Sequence, residues 1–507
     1  MSVERSRTAR AYWAFCLILL PIIVLYLSSM PWRDTADIWE QAAAMRAIAQ
    51  DVAHPANPLL ALPGDTSPRF TPYTVFWGVV LRVTHLDVFA VLMLAGVVNY
   101  VLFVTGFARL IRLQFKDPKL PLIALLVLLV VWGTGYGQSN AYQLHMFLYT
   151  LPYVATFTYG ISFHALAFLR KWIAGARRTD AAMYTVLMLV AFLSHPITAM
   201  FAFVAAGAML LAESTWQKTL AVQLVPLVCV AAAFVWPYFD YGHVLTHGAT
   251  ESWFTTPHFS GQISSLGPAL AGIPILIYYA WVGRHTFVVY GFLFCAGVYV
   301  SAALAQSAIG GRFIFFGTLF LHLGIALFIA DALPVGWRWV QTAWPSTYLK
   351  AGLCALIILT GLRFRVHEAE AIALDLRHAM DRDLPSESAA ARLSFLGAYV
   401  PAGTVVLSDE NLGLILPVVM DGKVVAHVHG SPIIPHELQR RCIDAHRFFN
   451  SPLTLGERQS ILRRYGAAQI VVDRSIQSKP AASFLAQLPL LGARCAGHGG
   501  VSLYDVR

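Results

Sequence analysis

The stretch MPWRDTADIWEQAAAMRAIAQDVAHPANPLLALPGD (residues 30–65) starts where an apolar run, 11–30, ends. It carries three carboxylates spaced three apart, Asp34, Asp37 and Glu40. Asp34 suits a helix N-cap, and Asp37, three residues on, suits the positive end of the helix that follows. Asp37 and Glu40 then share a helix face, which suits either a solvated surface or paired acid chemistry, and spacing alone leaves both readings open. Residues 42–48, AAAMRAI, read as helix, whereas the five prolines of HPANPLLALPGDTSPRFTPY (54–73) exclude regular helix or a central strand. Tyr73 to Val83 reads as an interfacial helix, apolar but too short to span and bracketed by Arg69 and Arg82. The whole segment 31–87 is too long to be a mere connector, and long ordered loops of this kind usually carry function.

Around this segment the chain is 57% hydrophobic and 12% charged, with a mean hydropathy of +0.61. Soluble globular domains are about 25% charged, so this is an α-helical polytopic membrane protein. Apolar runs of about 17–25 residues recur about eleven times: 11–30, 88–108, 120–134, 147–168, 180–194, 197–212, 219–236, 265–282, 286–305, 313–331 and 346–364. Arg5, Arg7 and Arg10 precede the first run, and Arg109, Arg112, Lys116 and Lys119 follow the second. Arg170, Lys171, Arg177 and Arg178 follow the fourth, while loops 135–146 and 237–262 have no Lys or Arg. Basic residues resist export, which predicts a cytoplasmic N-terminus and outward-facing first loop and C-terminal region. The first run has no small-x-small cleavage site before Pro31 and reads as a retained anchor. Basic loops facing anionic headgroups account for the net charge of +9 and leave no need for nucleic acid as a partner.

Beyond residue 364 the apolar pattern stops. The expected division is a membrane body, 1–364, including the outer loop 31–87, and an extracytoplasmic α/β domain, 365–507. GTVVLSD and AAQIVVD read as buried parallel strands and GVSLYDVR as a last strand, with PHELQRRCIDAHRFF and LGERQSILRRYG as amphipathic helices. Asp409 and Asp473 fall at strand ends, where capping is the favoured reading over ligand binding. His427 and His429 share a face but lack a third metal ligand. Cys442 and Cys495 lie in this exported region and are candidates for a bridge.

Other outward groups suit a phosphate and a sugar. Gly310-Gly311-Arg312-Phe313 stands at the mouth of the tenth run, where a guanidinium can fork onto phosphate and the glycines admit close backbone approach. Its alternative is an arginine snorkelling to headgroups. WPYFDYGHVLTHGATESWFTTPHFSG (236–261) offers Tyr238, Asp240 and His243 among aromatics that fit carbohydrate or a membrane-interface belt.

The order of one span, an acid-bearing first outer loop, HPANP (54–58), SPRFTPY (67–73), LYTLPYVATFTYG (148–160) and SHPITA (194–199) resembles bacterial members of the GT-C superfamily of membrane glycosyltransferases. The resemblance implies a polyprenyl-phosphate-linked sugar donor, a glycan, lipid or protein acceptor, membrane lipids around the body, and residence in the bacterial cytoplasmic (inner) membrane. Carried over by position, the family's catalytic acid falls on Asp37, with Asp34 as the alternative. Relatives with paired acids leave a divalent metal, magnesium or manganese, possible here but not established.

An inverting transfer needs a base for the acceptor hydroxyl and positive charge where the departing phosphate develops its own. Asp37 is expected as the base, Arg312 as the phosphate clamp and Arg69 as a second clamp, with Glu40 among the substrate-binding residues. His195, at the Ser194-His195-Pro196 helix break, reads chiefly as a structural contact and secondarily as a donor ligand. Nucleotide sugars are cytoplasmic, and no Walker-type loop is present; Gly133-Thr134-Gly135-Tyr136-Gly137 ends a membrane run instead of linking strand to helix. The competing readings are an O-antigen-type polysaccharide polymerase or ligase, and a transporter or flippase. The runs carry no mid-span Asp or Glu of the kind coupled transporters place there.

Overall fold

The computed structural model describes the chain apart from residues 1, 31–35, 63–66, 135–139, 176, 214–215, 242–258, 306, 339–344, 381–387, 429–434, 474–480, 497–498 and 507. In chain order the helices of its first three quarters are α1 (Ser2–Leu27), α2 (Ala36–Gln50), α3 (Pro72–Thr84), α4 (Val88–Gln114), α5 (Leu120–Val130), α6 (Leu144–Thr150), α7 (Val154–Gly175), α8 (Arg178–Ser194), α9 (Pro196–Glu213), α10 (Trp216–Phe234), α11 (Gln262–Leu266), α12 (Gly272–Trp281), α13 (Thr286–Leu304), α14 (Ala308–Gly311), α15 (Phe313–Arg338) and α16 (Pro345–Met380). The remainder contains α17 (Ala389–Leu393), β1 (Val405–Leu407), α18 (Leu416–Val419), β2 (Lys423–Val424), α19 (Pro435–Asn450), α20 (Leu455–Tyr465), β3 (Gln469–Asp473), α21 (Ala482–Leu485), β4 (Leu490–Ala496) and β5 (Gly499–Asp505).

Six helical segments among the described residues are long and apolar enough to cross a membrane: Arg7–Leu27, Val88–Gln114, Pro196–Glu213, Gln262–Trp281, Thr286–Leu304 and Phe313–Asp331. The other expected spans also fall on helices, but these are shorter or more polar. α5 has 11 residues and α8 has 17, while α7 carries Arg170 and Lys171 ahead of its last turn. The count of eleven is therefore not reproduced by length and apolarity alone.

Two compact units form. The expected body and tail interleave in them: one unit is Met1–Leu27, Leu94–Ala233 and Glu251–Asp375; the other is Ser28–Met93, Phe234–Thr250 and Leu376–Arg507.

In the helical unit α15 is the central element. Its apolar window is 89% buried, against 28% for α1. Rings of Tyr159, Phe163, Phe201, Phe316 and Phe320 pack from α7, α9 and α15 at centroid separations of 4.9–6.2 Å, within the range where aromatic pairs attract. Small residues set the α4–α7 crossing: a Cβ on Gly106 would lie 2.7 Å from the Gly160 carbonyl oxygen, and one on Gly160 would meet Leu102 Cβ at 3.0 Å. Membrane helices approach this closely where side chains are minimal. Two tyrosines bond across helices, Tyr12 donating to the Val104 carbonyl at 2.7 Å and Tyr100 to that of Cys16 at 2.8 Å.

The end of α5 shows how a terminated helix is sealed inside such a unit. Its last carbonyls lack intrahelical donors and require others. His322 Nε2 donates to the Val131 carbonyl at 2.6 Å, and Arg365 donates to those of Trp132, at 3.1 Å, and Gly133. Glu368 ion-pairs with the same guanidinium and accepts from the His145 backbone N–H at 3.4 Å, so one buried pair ties α16 to the segments ending α5 and beginning α6.

In the second unit a five-stranded sheet has the order β2-β1-β3-β5-β4, parallel from β2 through β3 and antiparallel beyond. α19 and α20 cover it through Phe448, Phe449, Ile461 and Leu462, packed on Ile470 and Val472. α20 carries a Thr454/Glu457 capping box and ends on Gly466 at φ 63°, a left-handed conformation that favours glycine. The expected strands and helices of the tail are present. β2 and β4 are additional: β2 has two residues, too few for a pattern, and β4 has a register irregularity between Leu490 and Gly492. The first loop also joins the sheet edge. Leu60 bridges Val424 in parallel, the Val424 N–H donates to the Leu59 carbonyl at 2.9 Å, and Lys423 Nζ bonds the Asn57 carbonyl.

Candidate active site

α2 starts at Ala36, so Asp37 lies in its first turn, where a carboxylate meets the positive end of the helix. Ile38, Trp39, Ala42, Ala43, Ala44 and Met45 are buried, and the run of alanines lets α3 approach. Gly78 of α3 faces Ile48, and a Cβ there would come within 2.5 Å of Ile48 Cγ2.

The chain reaches α3 through the SPRFTPY turn. Ser67 Oγ accepts from the Arg69 N–H at 3.2 Å, and Thr71 and Thr74 form a capping box with Pro72 at the helix start. The fixed turn projects Arg69 against α2, where its guanidinium ion-pairs with Glu40 and lies 3.7 Å from Asp37. Glu40 is buried, with a side-chain exposure of 5%, whereas that of Asp37 is 36%. A buried carboxylate needs a partner, and Arg69 supplies it. Of the two described acids of the cluster, Asp37 is thereby the accessible one, with Arg69 beside it.

Residues after α10 brace the same turn. Trp236 Nε1 donates to the Phe70 carbonyl at 2.8 Å, and the Tyr238 hydroxyl to that of Val52 at 2.9 Å. Phe70 packs with Ala44, Ala47 and Ile48, and Tyr238 lies against them. HPANP is also structural in its polar contacts: Asn57 Oδ1 accepts from the N–H groups of Leu59 and Leu60 at 3.1 and 2.9 Å, an Asx turn. Tyr238, named from sequence as a sugar contact, therefore also supports the loop; Asp240 is exposed, and His243 and Asp34 lie outside the described residues.

In the helical unit Arg312 is the half-buried turn residue between α14 and α15, its carbonyl accepting from the Phe315 N–H at 3.1 Å. Gly310 beside it allows approach to α13: a Cβ there would lie 2.3 Å from Ala302 Cβ. His195 Nδ1 accepts from the Thr198 N–H at 3.2 Å and so caps α9, the structural contact expected at a Pro-containing break. Gly133 and Thr134 donate through backbone N–H to Ser265 and Ser264 carbonyls at 2.9 and 3.0 Å, while Gly135, Tyr136 and Gly137 lie outside the described residues.

Among the described residues no three His, Cys, Asp or Glu side chains converge as a metal set. His427 is buried, and His429 lies outside the described residues. Asp409 Oδ1 accepts from the Asn411 N–H at 2.9 Å, an Asx turn in place of the helix cap expected of it, while Asp473 pairs with Arg392 at 3.3 Å. Cys442 is a free thiol directed at the His427 carbonyl at 3.3 Å, and burial pushes the thiol up to about 11; the side chain of Cys495 lies outside the described residues.

Sequence reasoning did not single out the Arg365–Glu368 pair. Arg365 was read as the start of the exported tail, and the one available signal was its i,i+3 spacing to Glu368 beside an apolar run.

These features define a multi-pass helical membrane protein in which an acid-bearing loop is built into an α/β unit. Two solved structures share the fold: arabinofuranosyltransferase AftD from mycobacteria, at a TM-score of 0.58, and a mutant of that enzyme, at 0.54. Each is 13% identical over 97% of this chain. The chain spans 40% and 41% of their respective lengths. The likeness is one of fold: this chain shares the fold of that part of the arabinofuranosyltransferase. No family model and no curated protein matches the chain.

Proposed function

We propose that the protein is a glycosyltransferase of the outer face of the bacterial cytoplasmic membrane, transferring a sugar from a polyprenyl phosphate to a hydroxyl of a glycan, lipid or protein with inversion. The observation that carries this reading is an accessible carboxylate, Asp37, on the helix following the first span of a fold shared with an arabinofuranosyltransferase, beside a buried acid neutralised by Arg69.

Asp37 takes the proton of the acceptor hydroxyl as that oxygen forms its bond to the anomeric carbon. The bond from that carbon to the phosphate oxygen breaks, and the electron pair leaves with the polyprenyl phosphate. That anion is stable and needs little proton assistance, so a fixed guanidinium is the useful group on its side, the role assigned to Arg312. Arg69, already shared by two carboxylates, is better suited to positioning Asp37 than to holding phosphate.

The test is to give the purified full chain a panel of polyprenyl-phosphate hexoses and pentoses with hydroxyl acceptors and to follow transfer or donor hydrolysis. Turnover of one lipid-linked sugar, with no use of nucleotide sugars, is expected. Turnover of nucleotide sugars alone would overturn the reading.

A further inference from the structure

α3 continues past its own packing. Its inner face, Tyr73, Trp77, Gly78 and Leu81, is buried, while Phe76, Val79 and Val83 are exposed, Phe76 by 59% and Val83 by 71%. Exposed apolar residues three and four apart on a short amphipathic helix suit the headgroup–acyl boundary of a bilayer. Three residues after His85 the spanning helix α4 begins at Val88, which places the α3–α4 corner at the same boundary.

A cavity of about 880 Å³ opens at this corner. Arg46, Arg82 and His85 line it together with the apolar Leu86, Phe89 and Val418. Arg46 is committed to Asp421 at 2.7 Å. Arg82 has no carboxylate within ion-pair distance among the described residues; its guanidinium makes only long contacts, 3.4 and 3.3 Å, to the Ala49 and Gln50 carbonyls at the end of α2. His85 is held at φ 53° as the C-cap of α3, turning the chain into the cavity rim. Asp87 also lines the cavity, but its Oδ1 accepts from the Phe89 N–H at 2.8 Å, at the start of α4.

We propose that this cavity binds the phosphate headgroup of an anionic bilayer phospholipid, with Arg82 and His85 on the phosphate and the acyl chains along Phe76, Val79 and Val83. A cavity that combines guanidinium groups with apolar lining, beside a helix with an exposed apolar face, matches an amphiphile better than a soluble anion. Neither Asp37 nor Arg312 lines it, and no sugar transfer is needed to detect it.

The experiment titrates delipidated full-length protein with phosphatidylglycerol or phosphatidylcholine and counts bound lipid by native mass spectrometry. Tighter binding of phosphatidylglycerol, weakened at least fivefold in Arg82→Gln/His85→Asn, is expected; Asn tolerates the left-handed conformation at 85. Arg82→Lys, which keeps the charge, should retain most of the binding and covers the case in which the double variant fails to fold. Equal affinity for the two lipids, or unchanged binding in a folded double variant, would overturn the proposal. Displacement by millimolar inorganic phosphate would assign the cavity to a soluble anion, and displacement by undecaprenyl phosphate at lower concentration than phosphatidylglycerol would assign it to a carrier lipid; either result also overturns it.

Discussion

Arg69 is bound to Glu40 and lies 3.7 Å from Asp37, so one guanidinium serves a buried acid and an accessible one on the same helix face. The asymmetry separates two residues that spacing alone leaves equivalent. Removing the guanidinium takes this ion-pair partner from Glu40, whose side chain is only 5% exposed.

Arg69→Gln should therefore lose about 1–3 kcal/mol, the usual cost of leaving a buried polar group unpaired. Glu40→Gln in the same chain should restore most of it, which thermal unfolding in detergent measures. Equal midpoints for the single and double variants would show that the pair contributes nothing.

Gly78→Ala should weaken the α2–α3 contact, because the added methyl meets Ile48 Cγ2 at 2.5 Å and Ile48 Cβ at 2.6 Å. Overpacking of this kind costs about 1–3 kcal/mol. Ile48→Ala should relieve it in the double variant. Proteolysis of the 31–87 loop reports the loosening, which should be faster in Gly78→Ala and return toward wild type with the second change.

Arg365→Met should lower the unfolding midpoint more than the paired change Arg365→Met/Glu368→Leu, because breaking a buried ion pair leaves a charge behind, whereas replacing both leaves none. Burial holds the Glu368 carboxyl above its ordinary value, with Arg365 opposing the rise. A group raised on folding adds stability below its ordinary range, about 4.3, and loses it as pH climbs through the raised value. The advantage of wild type over Glu368→Gln should accordingly shrink as pH rises through that window. An advantage that grows with pH would contradict the assigned direction.

Much of this architecture is legible in the sequence because its signals are local. The alanine-rich stretch after Asp37 is α2, the proline-bounded Tyr73 to Val83 is α3, and GTVVLSD and AAQIVVD contain neighbouring parallel strands. Long-range pairing is what the sequence conceals. Nothing local joins Leu60 to Val424, so the first loop reads as a separate membrane-surface element although it extends the sheet of the C-terminal segment. The candidate site shows the same division. Its acids are visible as a three-residue repeat, but Arg69 reads as a phosphate ligand because its contact with Glu40 spans 29 positions and a proline-rich turn. The glycine of Gly310 reads as room for a ligand, whereas the structure uses it for Ala302.

The central claim is that Asp37 is the base, and the most direct measurement compares sugar transfer by Asp37→Asn, Asp34→Asn and Glu40→Gln in folded, purified protein with a lipid-linked donor that wild type accepts. Removing a general base costs about 100-fold or more in turnover, so Asp37→Asn should fall by at least that factor with its unfolding midpoint unchanged, while Asp34→Asn retains most activity. Full turnover by a folded Asp37→Asn protein would contradict the account.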